Sequence, residues 1–574
     1  MTLSQPRREP TRTDRLLAAV GGLVSGYVSL AVADLASFWV RPEAGPVIAV
    51  GGTLIDRTPA TVKDWAIRAF GENDKTVLQL GILAVLGVLA AAVGLLASRH
   101  RLVGAVAVGA FGVLGAVAAV TRPDSRSLTD AVPSLVGAAA GALLLYALAR
   151  RLPAGASTAT REPAATGGST GPDENKGSGE STGPGGEGSG GTTGTAQGGT
   201  GATGPGPDVR ADRRGFLLVA ASAGLLATGA AAVARAIGSP VQENAVASRE
   251  ALRLPRPASP APPVPAGARL RVPGISPFLT PNRDFYRVDT ALVVPRVDAD
   301  TWRLRVHGDG VPEEVTFTLR ELAARRTIER DITLACVSNE VGGPYVGNAR
   351  WLGVSLADLL REAGVRPPSE GGPADQLVAR SVDGMTIGTP VETVMDGRDA
   401  LLAFGMNGEP LPFAHGFPVR MIVPGLYGYV SACKWIESVE LTTFAAYDAY
   451  WVPRGWSARA PVKTESRIDT PRPFARPRAG TVAVAGVAWA QHRGISRVQV
   501  RVDDGPWRDA RLAAEDSRDT WRQWVLPWTA TPGQHTLTVR ATDGTGTTQP
   551  EQRTDTMPDG AQGWHSVAVT VEAA

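Results

Sequence analysis

Residues 415–424 read His415-Gly416-Phe417-Pro418-Val419-Arg420-Met421-Ile422-Val423-Pro424. An arginine stands inside an apolar, strand-like run. Buried there, a guanidinium must meet an anion or bear an uncompensated loss of hydration. An edge strand with Arg420 facing water fits the pattern equally well. His415 lies five residues earlier, and one bound phosphate would satisfy both. Downstream, Ser431-Ala432-Cys433-Lys434-Trp435 sets a second cation beside a large aromatic ring. Upstream, Thr333-Leu334-Ala335-Cys336-Val337-Ser338-Asn339 places a thiol at the end of a strand in polar, Gly-rich surroundings. Together these stretches describe a pocket for an anion or a phosphate-bearing cofactor beside a thiolate. Spacing leaves two readings of the thiols open: a Cys336–Cys433 disulfide, favoured by an oxidising compartment, or a metal-ligating thiolate.

The pattern around these stretches is mixed α and β. Residues 302–306 alternate like a half-buried strand, and 331–335 form a strand running into Cys336. Thr318-Leu319-Arg320-Glu321 has the capping-box order that opens a helix. Residues 355–363 have helical periodicity and stop at Gly364, where a C′ glycine belongs. Beyond about residue 479, short alternating runs at 481–487, 498–502, 536–540 and 565–571 are separated by Asp-Gly and Pro-Gly turns. That spacing predicts a β-sandwich.

The N-terminal half differs in composition. The chain of 574 residues carries 58 Lys+Arg against 55 Asp+Glu, a net charge of +3. Such a balance makes no electrostatic footprint for nucleic acid. Residues 1–240 hold 21 basic and 17 acidic groups, with the basic ones flanking apolar runs at 16–40, 77–98, 102–120 and 131–149. Each run is near the length that spans a bilayer core. Arg7, Arg8, Arg12 and Arg15, then Arg99 and Arg101, then Arg150 and Arg151 fall on one side if all four runs span, and that side is cytoplasmic by the positive-inside rule. Arg57, Arg68, Arg122 and Arg126 lie in the opposite loops and weaken the contrast. Asp34, inside the first run, reads either as a functional intramembrane carboxylate or, the favoured reading, as near enough to Trp39 and Arg41 to reach the interface, and the short apolar stretch 45–55 reads as interfacial.

Residues 152–209, rich in Gly, Ser and Thr, cannot bury a core and read as a disordered linker. Arg213-Arg214-Gly215-Phe216-Leu217 then precedes a fifth apolar run and resembles a twin-arginine export signal placed internally. A plain cationic anchor is the other reading, and both put residues 240–574 outside the cytoplasm. The Pro- and Ala-rich residues 239–268 read as a stiff spacer. Two cysteines exclude a cysteine-ligated iron–sulfur cluster and a disulfide scaffold. No Cys-x-x-Cys-His occurs, and His100, the one histidine of the membrane half, falls in a loop, so no haem is expected.

From about 276 onward the chain resembles the sulfite oxidase family of molybdenum-cofactor (molybdopterin) oxidoreductases. The resemblance rests on Phe285-Tyr286-Arg287-Val288-Asp289-Thr290, Cys336-Val337-Ser338-Asn339, Gly347-Asn348-Ala349-Arg350-Trp351-Leu352-Gly353-Val354, Met406-Asn407-Gly408-Glu409-Pro410-Leu411-Pro412, the 415–420 stretch and Lys434-Trp435. It implies one molybdenum held by a pterin dithiolene and one protein thiolate. Cys336 matches the ligand position and the catalytic centre. Tyr286, Arg287, Asp289, Thr290, Asn339 and Asp383 would line the cofactor. His415, Arg420, Ser431, Cys433 and Lys434 would hold its phosphate and ring edge, and the disulfide becomes the minor reading. The family's sulfite-oxidising members carry Phe-x-Arg-Asn-His where this chain has Arg287-Val288-Asp289. They carry an arginine where it has Glu340, and a tyrosine where it has Met385. The two added carboxylates weigh against sulfite, a dianion.

The implied architecture is therefore N-terminal all-α transmembrane helices, an α+β sulfite-oxidase-like molybdopterin domain and a C-terminal immunoglobulin-like β-sandwich. The boundaries are 1–151 for four transmembrane helices, 152–209 for the linker, 210–238 for a fifth segment, 239–268 for the spacer, 269–470 for the cofactor domain and 471–574 for the dimerisation domain. The expected activity is two-electron oxygen-atom transfer on a small-molecule substrate, with an unidentified redox partner and a homodimer through the C-terminal domain. Sulfite dehydrogenase, sulfoxide reductase and a non-catalytic membrane-tethered scaffold are the alternatives.

Overall fold

The computed structural model describes residues 11–58, 62, 74–122, 124, 125, 127–152 and 212–573. The expected linker lies outside the described residues, Leu152 apart, as do Arg7, Arg8, Arg68 and Arg126. Helix α1 (Arg12–Val40) opens on a capping box in which Thr11 and Asp14 satisfy each other's backbone amides. The short α2 (Pro46–Arg57) follows, then α3 (Asp74–Arg99), α4 (Arg101–Thr121) and α5 (Val132–Arg150). With α6 (Arg213–Ala251), helices α1, α3, α4 and α5 make five among the described residues that are long and apolar enough to cross a membrane.

Helices α1 and α6 run parallel. Arg213 pairs with Asp14 at 2.8 Å, Phe216 packs on Gly21, and Tyr27 shares a hydrogen bond with Thr228 at 3.1 Å. Arg151 pairs with Asp212 at 2.9 Å at the same end. At the other end, Arg41 reaches Asp124 and Asp130 at 3.1 and 3.2 Å, and Arg122 reaches Asp124 at 2.9 Å. Arg122, which counts against the charge asymmetry in the sequence, is thus tied to a buried carboxylate. Asp34 is exposed on the outer face of α1.

The spacer expectation is corrected. Helix α6 continues to Ala251, because most residues of 242–251 (Gln, Glu, Ala and Arg) are good helix formers and its far end is anchored. The Arg249 guanidinium donates to the carbonyls of Leu411 and Pro410, both at 2.8 Å, and Ser248 Oγ accepts from the Ala299 amide at 3.1 Å. Beyond the helix, the amides of Ala258 and Ser259 donate to Thr327 O, and the Glu329 amide donates to Ser259 O. A Pro-rich segment has few bonds of its own, so it pairs with a strand edge instead of standing free.

Two five-stranded sheets carry the cofactor domain. The first is ordered β2 (Val315–Thr318), β1 (Arg303–Gly308), β10 (Ile436–Thr442), β5 (Gln376–Ser381) and β6 (Thr386–Pro390), with β1 and β10 parallel. The second is ordered β3 (Thr327–Ala335), β4 (Val346–Ser355), β7 (Leu401–Met406) and β8 (Glu409–Pro410), with β9 (Arg420–Ile422) paired to β7. The capping box opens α7 (Leu319–Ala323), and α8 (Leu356–Glu362) stops one residue short of its expected end, before Gly364 at φ +87°. Leu304, Val439, Leu334, Trp351 and Leu402 bring both sheets into one core.

The C-terminal part consists of two four-stranded sheets. One is β11 (Glu465–Thr470), β12 (Gly480–Trp489), β16 (Arg522–Ala530) and β15 (Arg511–Leu512). The other is β14 (Arg508–Asp509), β13 (Ile495–Val502), β17 (Gly533–Asp543) and β18 (His565–Val571). Val484, Trp524, Val500, Val539 and Val569 form their shared core, which makes a sandwich. The expected break at 470/471 passes through the β11–β12 pair, which belongs to this sandwich. Strand β11 escapes sequence reading because it buries Glu465 and Ser466. Val487, Trp489 and Trp521 join the cofactor-domain core, so the two units share an apolar seam.

Candidate cofactor site

Strand β3 delivers Cys336 to its end, half-buried, with its amide donating to Tyr345 O at 2.9 Å and its sulfur 2.9 Å from Ser338 Oγ. Neither cysteine is in a disulfide, which removes that reading. Cys433 is fully buried, and burial pushes its thiol pKa up.

The turn before β9 buries Arg420 and overturns the water-facing edge strand. Arg420 is 5% exposed, its guanidinium lies 5.0 Å from the Trp351 ring centroid, and Nη1 donates to His415 O at 3.2 Å. No acidic side chain pairs with it among the described residues, and its Nε has no acceptor. Burial lowers its pKa to about 10, which leaves it charged at neutral pH. Gly416 stands at φ +110° against Arg420 and Lys434, where a Cβ would lie 3.1 Å from each. The glycine lets the two cation-bearing segments close on one another.

The aromatic motif forms the wall. Phe285 stacks on Tyr286 at 5.2 Å and meets Trp351 and His415 edge-on at 5.7 and 5.6 Å. A Cβ at Gly347 would lie 2.8 Å from the Phe285 ring, so that position has to be small. His415 Nε2 faces Asn282 O at 3.0 Å. Burial and the Arg420 charge lower its pKa to about 4, so the ring is neutral and takes its tautomer from that carbonyl. Lys434 Nζ lies 2.6 Å from Asp289 Oδ2, and Arg287 Nε is 3.3 Å from the same oxygen. Thr290 Oγ1 is 3.4 Å from Asp383 Oδ2 and from Met385 Sδ, and burial raises the Asp383 pKa.

Some residues expected to bind also hold the frame. Ser431 Oγ, fully buried in α10 (Gly428–Ser431; α9 is Val391–Met395), donates to the carbonyls of Leu426 and Tyr427 at 3.0 Å. Asn339 Oδ1 accepts from the Tyr345 amide at 2.7 Å and shapes the turn after Cys336. Three motif residues without an assigned role are also framework. Asn348 accepts from Thr333 Oγ1 and donates to Phe278 O, Asn407 at φ +52° ties Arg350 to Thr280, and Trp351 donates to Ile332 O. Sequence reasoning missed Arg467 and His565 altogether. They lie in the C-terminal sandwich and touch the turn after Cys336, but no local signal links them to it.

The site can thus be tested against a phosphate-bearing pterin. A buried, uncompensated guanidinium with an orphaned Nε, a glycine cradle and a half-exposed thiol meet the needs of an anionic group and a soft metal. The residues fit.

The family described as "Oxidoreductase molybdopterin binding domain" matches residues 291–451. Mitochondrial sulfite oxidase of Homo sapiens is 30% identical over 317 residues, covering 48% of this chain and 58% of that protein. Sulfite oxidase of Gallus gallus is 30% identical over 320 residues, covering 48% and 68%. Nitrate reductase [NADH] 1 of Oryza sativa subsp. japonica is 34% identical over 197 residues, covering 30% and 21%. Among solved structures, the sulfane dehydrogenase SoxCD from Paracoccus pantotrophus is 24% identical with a TM-score of 0.44, covering 52% of this chain and 85% of that one. The chain belongs to the sulfite oxidase family of molybdopterin oxidoreductases. It spans 58% of the length of the human relative.

Proposed function

We propose that this chain is a membrane-anchored, molybdenum-cofactor-dependent oxidoreductase that catalyses two-electron oxygen-atom transfer on a small-molecule substrate. Bound at this site, the cofactor supplies a metal that cycles by two electrons and exchanges one oxygen atom. The chain's own part is to hold it. Cys336, deprotonated, is the single protein ligand. Arg420 and Lys434 carry the charge that a phosphate neutralises. Tyr286, Arg287, Asp289, Thr290, Asn339 and Asp383 line the pterin, with His415, Ser431 and Cys433 behind it. The observation that carries this reading is the buried Arg420 guanidinium without a carboxylate.

The basic ends of α1, α5 and α6 gather at one end of the bundle, and the C-terminal end of α6 meets the cofactor domain. This supports a cytoplasmic basic end, an extracytoplasmic cofactor domain and a bundle that anchors the enzyme or docks a separate redox partner. Arg213-Arg214 serves as a twin-arginine signal for a domain folded around its cofactor. The sandwich, with two sheets on one core, is read as an immunoglobulin-like dimerisation domain.

Sulfite is the second reading. Of the two carboxylates weighing against a dianion, Asp289 is offset by Lys434 and Arg287, so the charge objection reduces to the exposed Glu340. The test is elemental and pterin analysis of the full chain purified in detergent from a cofactor-producing host, followed by turnover of sulfite and of a sulfoxide with artificial redox partners. One molybdenum per chain is expected. A matured protein without molybdenum or pterin favours the scaffold.

A further inference from the structure

The segment 336–345 closes on itself through the Cys336 amide and Tyr345 O at 2.9 Å, and Asn339 staples its interior. Its outer side is held from another part of the chain. Arg467, on β11 of the sandwich, donates from Nη1 to Gly343 O at 2.7 Å. The same guanidinium donates to Ser276 Oγ at 2.9 Å and to Asp469 Oδ1 at 2.7 Å, while Asp469 Oδ2 accepts from the Ser276 amide at 2.9 Å. Every nitrogen of Arg467 is engaged, and its side chain is 12% exposed. His565, on β18, packs against Gly342, where φ is +79° and a Cβ would overlap the imidazole ring. The ring is itself fixed, since Nδ1 accepts from the Ile468 amide at 3.0 Å. The sandwich also grips the strand that leads into Cys336. Gln491 Nε2 donates to Thr333 O at 2.9 Å, and the Trp521 amide donates to Thr333 Oγ1 at 2.7 Å.

We propose that Arg467 and His565 are positioning residues, through which the C-terminal sandwich sets the conformation of segment 336–345 and hence the placement and accessibility of the Cys336 sulfur. The inference rests on the reading of Cys336 as the metal ligand only in what it means for activity. The geometry itself belongs to the chain. A guanidinium that spends three donors on a carbonyl, a hydroxyl and a carboxylate defines one position for that carbonyl, as a single packing contact does not. At Gly342, with φ at +79°, the imidazole occupies the space a Cβ would take, so only glycine fits both the backbone and the ring.

The test uses the full chain in detergent. In cofactor-free protein, the alkylation rate of Cys336 by iodoacetamide is read by mass spectrometry, with the buried Cys433 as internal reference. Arg467→Met and His565→Ala are each expected to raise the Cys336 rate about tenfold, the effect of about 1.4 kcal/mol of easier local opening. Arg467→Lys should recover part of the wild-type rate. Arg493→Met is the control, since Arg493 pairs with Asp543 inside the sandwich at 2.9 Å. It should lower the melting temperature and leave the Cys336 rate unchanged. In molybdenum-loaded protein poised chemically with dithionite, the Mo(V) paramagnetic spectrum should change in Arg467→Met and return towards wild type in Arg467→Lys. The inference is overturned if Arg467→Met and His565→Ala keep the wild-type alkylation rate. It is also overturned if Arg493→Met raises that rate as much as they do. Absence of molybdenum from the wild-type chain would instead overturn the functional reading, and the alkylation comparison would still decide this one.

Discussion

Lys434 Nζ lies 2.6 Å from Asp289 Oδ2, and this ion pair closes the site by joining two motifs 145 residues apart in the chain. Asp289 sits at 2% side-chain exposure and Lys434 at 11%, so the pair is shielded from solvent and from salt. Arg287 shares the same carboxylate oxygen. One anion therefore serves two cations, and Arg420 stays uncompensated nearby.

Lys434→Met should strand the Asp289 carboxylate in a site where water cannot replace the lost ammonium. Removing one partner of a buried pair costs about 3–5 kcal/mol, less whatever Arg287 recovers. The expected result is a clear drop in melting temperature of the cofactor-free chain, together with loss of bound pterin. Asp289→Asn should be milder. An unchanged melt for Lys434→Met would show that the pair contributes nothing.

Arg420→Met should behave in the opposite way. The guanidinium has no carboxylate to leave stranded, and burying it uncompensated opposes folding. Cofactor-free protein should unfold within about 1 kcal/mol of wild type or be more stable, whereas cofactor content should collapse. Paired melts and pterin fluorescence on the same preparations decide it. Strong destabilisation of the cofactor-free form would mean that Arg420 is a structural residue.

Cys336→Ser should abolish molybdenum coordination and turnover while leaving the fold intact, because the thiol is half-buried and the replacement hydroxyl can keep the contact with Ser338 Oγ. Cys433→Ser places a hydroxyl where the buried thiol donates weakly to Lys434 O. It should keep molybdenum and change stability by about 1 kcal/mol. Metal analysis of both variants separates ligand from neighbour.

His415 and His565 both have pKa values lowered to about 4, principally by burial. An unfolded histidine takes up its proton near pH 6.5, so the unfolded state binds more protons between pH 6.5 and 4. The stability each neutral ring contributes is complete above about pH 6.5 and is lost as pH falls towards about 4. For the 6%-exposed His415 the loss should reach about 3 kcal/mol. His415→Gln, which keeps a donor towards Asn282 O, should flatten the fall of melting temperature over that window. A variant as acid-sensitive as wild type would rule His415 out as a source.

Orientation is open to direct test. Alkaline phosphatase joined after the C-terminus should be active outside the cytoplasm, and a fusion at His100, between α3 and α4, should be inactive. The reverse pattern would invert the topology.

Much of this molecule is legible in its residues. The long apolar runs become α1, α3, α4, α5 and the first part of α6, since a helix satisfies its own backbone wherever side chains are apolar throughout. The alternating runs become β12, β13, β17 and β18, and Thr318 with Glu321 caps α7 as the capping-box order requires. These features depend on period and on neighbours three or four residues away. The Pro-rich stretch after residue 239 misleads for the same reason. Its composition describes a chain without partners, and the partners were supplied by Thr327 and Glu329, far along the sequence.

Local sequence singles out the groups proposed to hold the cofactor: one thiol at a strand end, an arginine in an apolar run and a lysine beside a tryptophan. What each of them faces is set by the packing of distant segments. That packing buried Arg420 over Trp351 rather than turning it to water, kept Cys336 and Cys433 apart as thiols, and gave Asp289 to Lys434. It also brought Arg467 and His565 from the sandwich to the turn after Cys336. The physical reason is range. Periodicity and capping act within a few residues, whereas the desolvation and pairing of a charge depend on whatever the packed chain sets against it.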